Sequence, residues 1–258
     1  MGKTLKYIIT IVLVALTVTA FVLFEAVHID IIVTDYEANR LLCSIIYHLV
    51  VGALLLWLIY IVGNAPYMSF KYTNLKKLLW CLPCLLVALV NFPYAGLSTG
   101  EITITRPDLM MVYIIYVISI ALIEEIVFRG ILLSLCLDYL RNAKLKYFFA
   151  VLISSSIFAL FHLTNLFVGM SVFDVLLQVG YTFLIGAMFA VITLKTKNVW
   201  LSVIIHAIFD FGGLLTLEIA DGDPWGNRVF WILTIVCGIL CAGHIIVSLI
   251  NMERKHAA

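Results

Sequence analysis

The sequence predicts an all-α protein, a polytopic membrane helical bundle of about eight transmembrane helices. Hydrophobic residues make up 64% of the 258-residue chain and charged residues only 12%, a balance that soluble globular domains do not have. The apolar residues also form runs close to the roughly 20 residues that a helix needs to cross a bilayer. No polar stretch is long enough to fold alone, so we expect a single integral-membrane domain over residues 1–258.

Hydropathy places the predicted helices in order along the chain. They occupy residues 5–24, 41–62, 78–92, 109–137, 147–168, 173–194, 199–217 and 229–250. The third is short and carries Pro83, which a membrane helix tolerates where its neighbours satisfy the freed carbonyl. The first predicted helix, residues 5–24, has an alternative interpretation as the apolar core of a signal peptide. Its apolar run exceeds the usual 7–15 or so residues and no small-residue cleavage site follows, which favours an uncleaved span.

The charges of the connecting segments support this helix count. With the N-terminus in the cytoplasm, twelve basic residues fall in cytoplasmic connectors: Lys3, Lys6, Lys71, Lys76, Lys77, Arg141, Lys144, Lys146, Lys195, Lys197, Arg254 and Lys255. Three fall in outer connectors: Arg40, Arg106 and Arg228. Because cytoplasmic loops are enriched in Lys and Arg, this bias predicts that both termini are cytoplasmic. We expect a multi-pass protein of the cell membrane, and the lack of organelle-directed signals favours a bacterial plasma membrane.

The cysteines and two of the histidines have a packing interpretation. The six cysteines lie within or at the edge of predicted spans: Cys43, Cys81, Cys84, Cys136, Cys237 and Cys241. Cys81 and Cys84 have the spacing of a redox motif, but no βαβ pattern surrounds them, so we interpret them as small apolar packing residues. We interpret the intramembrane His48 and His244 in the same way, as packing or hydrogen-bonding residues.

Ionisable residues are concentrated in the fourth predicted span. Glu124 and Glu125 are adjacent, and Arg129 follows Glu125 by four residues. An ionised side chain at the centre of a membrane helix costs about 2.5–3.5 kcal/mol on insertion scales, so this group indicates a functional site. Glu125 and Arg129 share a helix face and can pair, whereas Glu124 points about 100° away.

Further polar residues lie at a similar depth in later spans. His162 lies in the fifth span, and His206 and Asp210 share one face of the seventh. At about 1.5 Å per residue, these side chains and Glu124 lie roughly 12–24 Å from the cytoplasmic ends of their helices. We therefore predict one site near the bilayer midplane that opens towards the cytoplasm.

Such a set suits the activation of water and the stabilisation of an oxyanion. A glutamate withdrawn from water is a better base, and a histidine can position the water or donate to the oxyanion. Glu124, His162 and His206 could instead form a zinc site. We expect no required metal, because the His-Glu-x-x-His helix is absent and Arg129 places a positive charge beside any cation. Only Asp210 is placed to accept a hydrogen bond from a zinc-bound histidine.

The same residues form three spaced motifs on successive apolar segments: Glu124-Glu125-x-x-x-Arg129, Phe158-x-x-x-His162 and His206-x-x-x-Asp210. In order and spacing they resemble the motifs of the CPBP family, which comprises the type II CAAX prenyl endopeptidases and the bacteriocin-processing or immunity (Abi) proteins. The resemblance covers about residues 117–213 and implies a protease-like core over about residues 109–218. Asn165 and residues 181–186 resemble family positions more weakly.

The resemblance implies a glutamate-dependent intramembrane endopeptidase. The implied catalytic residues are Glu124 and His162, which would activate the water, and His206 and Asp210, which would form the oxyanion hole. The implied supporting residues are Glu125 and Arg129. The family pattern has Asn or Asp at the last position. Because an ionised Asp only accepts hydrogen bonds, Asp210 can donate to an oxyanion only when protonated, and otherwise it would orient His206.

Two other classes of function are open from the sequence. Intramembrane carboxylates and histidines also form proton relays in proton-coupled transporters, although no repeated half with broken helices is visible here. The second class is a non-catalytic membrane protein that binds a secreted peptide and gives immunity to it. For a peptidase, the substrate is either a prenylated CAAX-type protein or the leader of a bacteriocin or pheromone. The expected partners are the lipid bilayer and a peptide or lipidated-protein substrate, with no nucleic acid.

Overall fold

A computed structural model describes residues 12, 15, 19, 33–62, 67, 68, 78–167 and 169–257. Apart from three isolated positions, the predicted span at 5–24 lies outside the described residues. Within the described part, the chain is almost entirely helical, which confirms the predicted fold class.

The described α-helices, numbered in chain order, are α1 (Tyr36–Val62), α2 (Leu82–Val90), α3 (Tyr94–Thr99), α4 (Met110–Glu125), α5 (Leu133–Tyr139), α6 (Lys146–Phe161), α7 (Val172–Thr196), α8 (Val199–Gly213), α9 (Leu215–Glu218) and α10 (Arg228–Ala257). Short 3-10 turns lie at Leu79–Cys81, Pro107–Leu109, His162–Leu166 and Pro224–Gly226. A π-helical segment, Ile126–Leu132, joins α4 to α5. Two short strands, β1 (Thr103–Ile104) and β2 (Ala220–Asp221), pair antiparallel.

Six segments of the described chain are long and apolar enough to cross a membrane: Tyr36–Trp57, Leu79–Thr99, Pro107–Tyr139, Lys146–Leu166, Val172–Thr196 and Arg228–His256. They confirm a multi-pass helical bundle, but not the predicted count of eight. The predicted span at 199–217 is a shorter apolar helix, α8, of 15 residues. It ends where Gly212 packs on the segment that follows α2, since a Cβ at this glycine would lie 2.7 Å from backbone atoms of Phe92. Hydropathy alone extends the predicted span to residue 217, because the residues after this contact are also apolar.

The packing of the helices brings the predicted site together. α4 packs against α1 and α8, α8 also packs against α2 and α7, and α6 packs against α7. The Tyr113 hydroxyl of α4 donates to the Phe211 carbonyl of α8 at 2.7 Å. The end of α4, the end of α6 and the middle of α8 therefore meet inside the bundle.

The two ends of the bundle differ in charge. The connectors α5–α6 and α7–α8 and the last turn of α10 carry these described basic residues: Arg141, Lys144, Lys146, Lys195, Lys197, Arg254 and Lys255. At the opposite end, Arg106 bonds Asp35 at 2.8 Å, Asp108 at 2.9 Å and also Glu37. The Ala38 backbone N–H and the Arg106 guanidinium hold the pKa of Asp35 below its usual value, so the Asp35 carboxylate stays ionised beside Arg106. Which end faces the cytoplasm stays a prediction.

Candidate active site

The chain leaves α-helical geometry immediately after the two glutamates. α4 ends at Glu125, and the π-helical segment Ile126–Leu132 follows. A π-turn accommodates an extra residue, and such turns are frequent at functional sites. The Phe128 carbonyl within this segment accepts a hydrogen bond from the buried Ser154 Oγ of α6 at 2.9 Å. This bond attaches α6 to the π-helical segment.

Glu125 and Arg129 form a fully buried ion pair. Arg129 Nη1 lies 2.7 Å from Glu125 Oε1, and Nη2 donates to the Gly186 carbonyl of α7 at 3.2 Å. The guanidinium carbon lies 4.2 Å from the centroid of the Phe158 ring and 5.4 Å from that of Phe189. Gly186 makes this fit possible, because a Cβ there would lie 2.8 Å from Phe158 Cδ1 and 3.1 Å from Arg129 Nη2. The arginine is thus enclosed by its own π-helical segment, α6 and α7.

His206 connects this ion pair to the other two carboxyl groups. Its Nδ1 lies 2.9 Å from Glu125 Oε1, the same oxygen that Arg129 contacts. Because a carboxylate only accepts, Nδ1 carries a proton and donates it. Nε2 lies 3.6 Å from Glu124 Oε2 and 3.4 Å from Asp210 Oδ2. Glu125 therefore fixes the ring so that its second nitrogen faces two carboxyl groups.

His162 lies beside this group and is joined to it by an aromatic ring. Its Nδ1 donates to the Phe158 carbonyl at 3.0 Å, because a carbonyl can only accept. In the neutral imidazole, this bond leaves a lone pair on Nε2. The Phe158 ring lies 5.0 Å from the His162 ring and 6.0 Å from the His206 ring. No ion pair links His162 to Glu124 among the described contacts.

The exposure of the side chains divides the site in two. Glu125 and Arg129 are 0% exposed and His206 is 5% exposed, whereas Glu124 and Asp210 are 12% and 15% exposed. The first three side chains form the interior of the site. The Glu124 and Asp210 carboxyl groups, with Nε2 of His206 between them, form its accessible side.

Several side chains around the site were not singled out from the sequence. Phe189 packs on His206, with 4.7 Å between the ring centroids, and Ser154 bonds the π-helical segment. Ser154 precedes Phe158 and His162 by four and eight residues, so the spacing along one helix face was a usable signal. Asn165, a weaker match from the sequence, donates to Gln178 Oε1 of α7 at 2.7 Å.

The two other histidines have structural surroundings. His48 of α1 is fully buried, and its Nδ1 lies 3.0 Å from Ser119 Oγ of α4. His244 of α10 packs on Trp80. No group of three or more His, Cys, Asp or Glu side chains in the described part of the chain is arranged to hold a metal ion. The expectation that no metal is required stays a prediction.

The part of the chain that carries these residues matches a known protein family. Residues 106–212 match the family model described as Rce1-like, the type II CAAX prenyl endopeptidase Rce1-like family. The match spans α4, the π-helical segment, α5, α6, α7 and most of α8, and so includes all six predicted site residues. No curated protein and no solved structure matches the chain. The resemblance stated from the motifs is confirmed for this segment: residues 106–212 match the Rce1-like type II CAAX prenyl endopeptidase family, consistent with a protease of the CPBP family, in a multi-pass membrane protein.

Proposed function

We propose that the protein is an intramembrane endopeptidase in which Glu124 activates a water molecule against a peptide bond of a membrane-associated substrate. The observation that carries this proposal is the interior frame of Glu125, Arg129 and His206. In this frame Arg129 and His206 both contact Glu125 Oε1, and the Glu124 carboxyl is left on the accessible side. The family match supports an endopeptidase in general, and the residue roles below are our own assignment.

Glu124 and His162 act on the water in this mechanism. The Nε2 lone pair of His162 accepts one hydrogen bond from the water, and the Glu124 carboxylate takes the other proton as the oxygen attacks the peptide carbonyl. The carbonyl oxygen then becomes an oxyanion in a tetrahedral intermediate. When the C–N bond breaks, protonated Glu124 returns the proton to the leaving nitrogen.

His206 and Asp210 stabilise the oxyanion. With both ring nitrogens protonated, His206 donates from Nδ1 to Glu125 and directs its Nε2–H towards the accessible side. A donor positioned before the reaction is typically worth about 2.7–4 kcal/mol at an oxyanion. Asp210, whose carboxyl lies beside Nε2, orients the ring when ionised and is a second donor when protonated.

We propose a membrane-associated peptide or prenylated CAAX-type protein as the substrate. The test uses purified protein in liposomes with a prenylated CAAX peptide, the same peptide without its lipid, and a transmembrane leader peptide. Mass spectrometry identifies the products. We expect cleavage of at least one of these, and loss of cleavage in Glu124→Ala. Binding without cleavage by well-folded wild-type protein would instead support the immunity or binding alternative, and proton-coupled uptake without cleavage would support a transporter.

We also propose that both termini and the basic end face the cytoplasm, in the cell membrane. The charge difference between the two ends supports this orientation. Reporter fusions after Lys146 and after Lys197 should report a cytoplasmic position, and a fusion after Asp221 an outer one. The opposite result at two of these positions would reject the orientation.

A further inference from the structure

Three helical elements converge on a half-buried lysine at the basic end of the bundle. Lys195, in the last turn of α7, has its Nζ 4.1 Å from the centroid of the Trp80 ring. The same ring lies 5.8 Å from the ring of His244 in α10. Lys255, in the last turn of α10, is close enough to Lys195 for their positive charges to repel each other. The packing of α7 and α10 therefore brings two like charges within electrostatic range of each other.

Neither lysine has a carboxylate partner among the described residues. The ion pairs among the described residues involve four other basic side chains: Arg40, Arg106, Arg129 and His206. Residues 63–77, which precede Trp80 in the sequence, add three lysines and contain no Asp or Glu. The helix dipoles explain a lysine at the C-terminus of each helix, but not why the two lysines converge. An anion between them would remove the repulsion.

An apolar track leads away from the two lysines along α10. Leu240, His244 and Val247 follow the spacing of one helix face, and Lys255 lies on the same face three turns after His244. Leu240 and Val247 are each 54% exposed, and Leu79 beside Trp80 is 55% exposed. Exposed apolar side chains in a membrane-spanning segment face lipid. A phospholipid has the same arrangement, with a charged phosphate at the membrane surface and apolar acyl chains deeper in the bilayer.

We propose that Lys195, Trp80 and Lys255 bind the phosphate of an anionic phospholipid whose acyl chain lies along Leu240 and Val247. Free phosphate would use the lysines but not the apolar track, so the geometry favours a lipid. Lysines near an anionic membrane surface each strengthen binding by a factor of about five. This site is separate from the carboxyl cluster, and it does not depend on the proposed peptidase activity.

Native mass spectrometry of the full-length protein in mixed micelles of phosphatidylglycerol and phosphatidylcholine tests the proposal. Wild-type protein should retain phosphatidylglycerol preferentially. Lys195→Gln or Lys255→Gln should each lower this preference about fivefold, and the double variant about thirtyfold. The control is the double variant Arg141→Gln/Lys144→Gln, which removes two charges from the α5–α6 connector at the same end and should keep the preference.

Three results would overturn the site. Wild-type protein without a preference is one, and an equal loss in the control variant, which would mean that only diffuse positive charge matters, is another. The third concerns the ligand: inorganic phosphate that raises the Tm of the detergent-solubilised protein as much as phosphatidylglycerol does would make it a site for free phosphate. Because Lys255 is exposed at the end of α10, Lys255→Gln should fold normally, so an unchanged preference in this folded variant also counts against the site.

Discussion

Glu124 and Glu125 are neighbours in the chain, yet they lie on opposite sides of the site. Glu125 is fully buried, and one of its oxygens contacts both Arg129 and His206. Glu124 is partly exposed, and the nearest ion-pair partner described for it is His206 Nε2 at 3.6 Å. The comparison shows how a membrane helix separates two tasks: a rotation of about 100° between consecutive residues places one carboxylate in a fixed frame and leaves the next available for chemistry.

The largest expected effect is on the accessible side. Glu124→Gln removes the base but keeps the size of the side chain and breaks no close ion pair, so turnover should fall by about 10²–10⁴-fold while the Tm changes little. Peptide cleavage by the purified variant and its thermal unfolding measure the two quantities. A variant that keeps more than roughly a tenth of wild-type turnover would show that Glu124 is not the general base.

On the buried side, stability should fall together with activity. Arg129→Ala breaks a fully buried ion pair and leaves the Glu125 carboxylate with only its contact to His206, and breaking such a pair typically costs about 3–5 kcal/mol. We expect a lower yield of folded protein and a lower Tm. Arg106→Ala is the control, since Arg106 has more acidic partners but lies on the surface, where ion pairs contribute little. A stable but inactive Arg129→Ala would move Arg129 from the frame into the catalytic group.

The space around the arginine can be tested with a single methyl group. Gly186→Ala should destabilise the protein by about 1–3 kcal/mol, because the new Cβ would contact Phe158 and Arg129 too closely. Gly180→Ala in the same helix is the matched control, since no atom lies within 4 Å of a Cβ there. It should be neutral or stabilising by up to about 1 kcal/mol. Equal unfolding temperatures for the two variants would contradict the tight packing of the frame.

Two adjacent serines test the attachment of α6 to the π-helical segment. Ser154→Ala removes the hydroxyl donor and leaves the Phe128 carbonyl with its bond from the Leu133 backbone N–H, at a cost of about 0.5–1.5 kcal/mol. Ser155 is buried on the same helix, and its hydroxyl has no hydrogen-bond partner among the described residues, so Ser155→Ala should have little effect. Denaturant unfolding of both variants gives the difference. If Ser155→Ala proved the more damaging, the Ser154–Phe128 bond would not be what attaches α6.

The smallest expected effect is that of a metal chelator. Active protein should keep its turnover after chelation, because Arg129 and the hydrogen bond from His206 to Glu125 leave the cluster poorly suited to a cation. Metal analysis of the treated, active protein is the measurement. Loss of activity that stoichiometric zinc restores would make Glu124, His162 and His206 the presumed ligands instead.

The sequence predicts the polar residues of the site well and their connections less well. Charged groups stand out in apolar spans because burial is costly, so the spacing of Glu125 and Arg129 correctly predicted their ion pair. The family resemblance implied that this pair supports Glu124 and His162. That role stays a prediction, and the described contacts attach the pair to His206, a residue 81 positions away in the sequence from Glu125. Helix periodicity fixes which residues share a face, but not which face of another helix they meet.

The length of α8 and the π-helical segment also could not be predicted from the sequence. Hydropathy does not register the close approach of Gly212 to the backbone of Phe92, just after α2, which coincides with the end of α8. The segment Ile126–Leu132 reads as an ordinary apolar helix, because a π-turn has no compositional signature and depends on bonds from other helices such as that from Ser154.

The π-helical segment makes the number of residues in this part of the chain as important as their identity. A wider turn shifts the phase of everything that follows, so α5 is rotated relative to a continuation of α4. If the same residues formed ordinary α-helical turns instead, α5 would be turned by about 100°. The buried Leu133 and Leu135 would then leave their present neighbours, although every side chain that contacts the site was still present in the sequence. A relative with one residue fewer in this segment should therefore form an ordinary α-helix here and keep the orientation of α5.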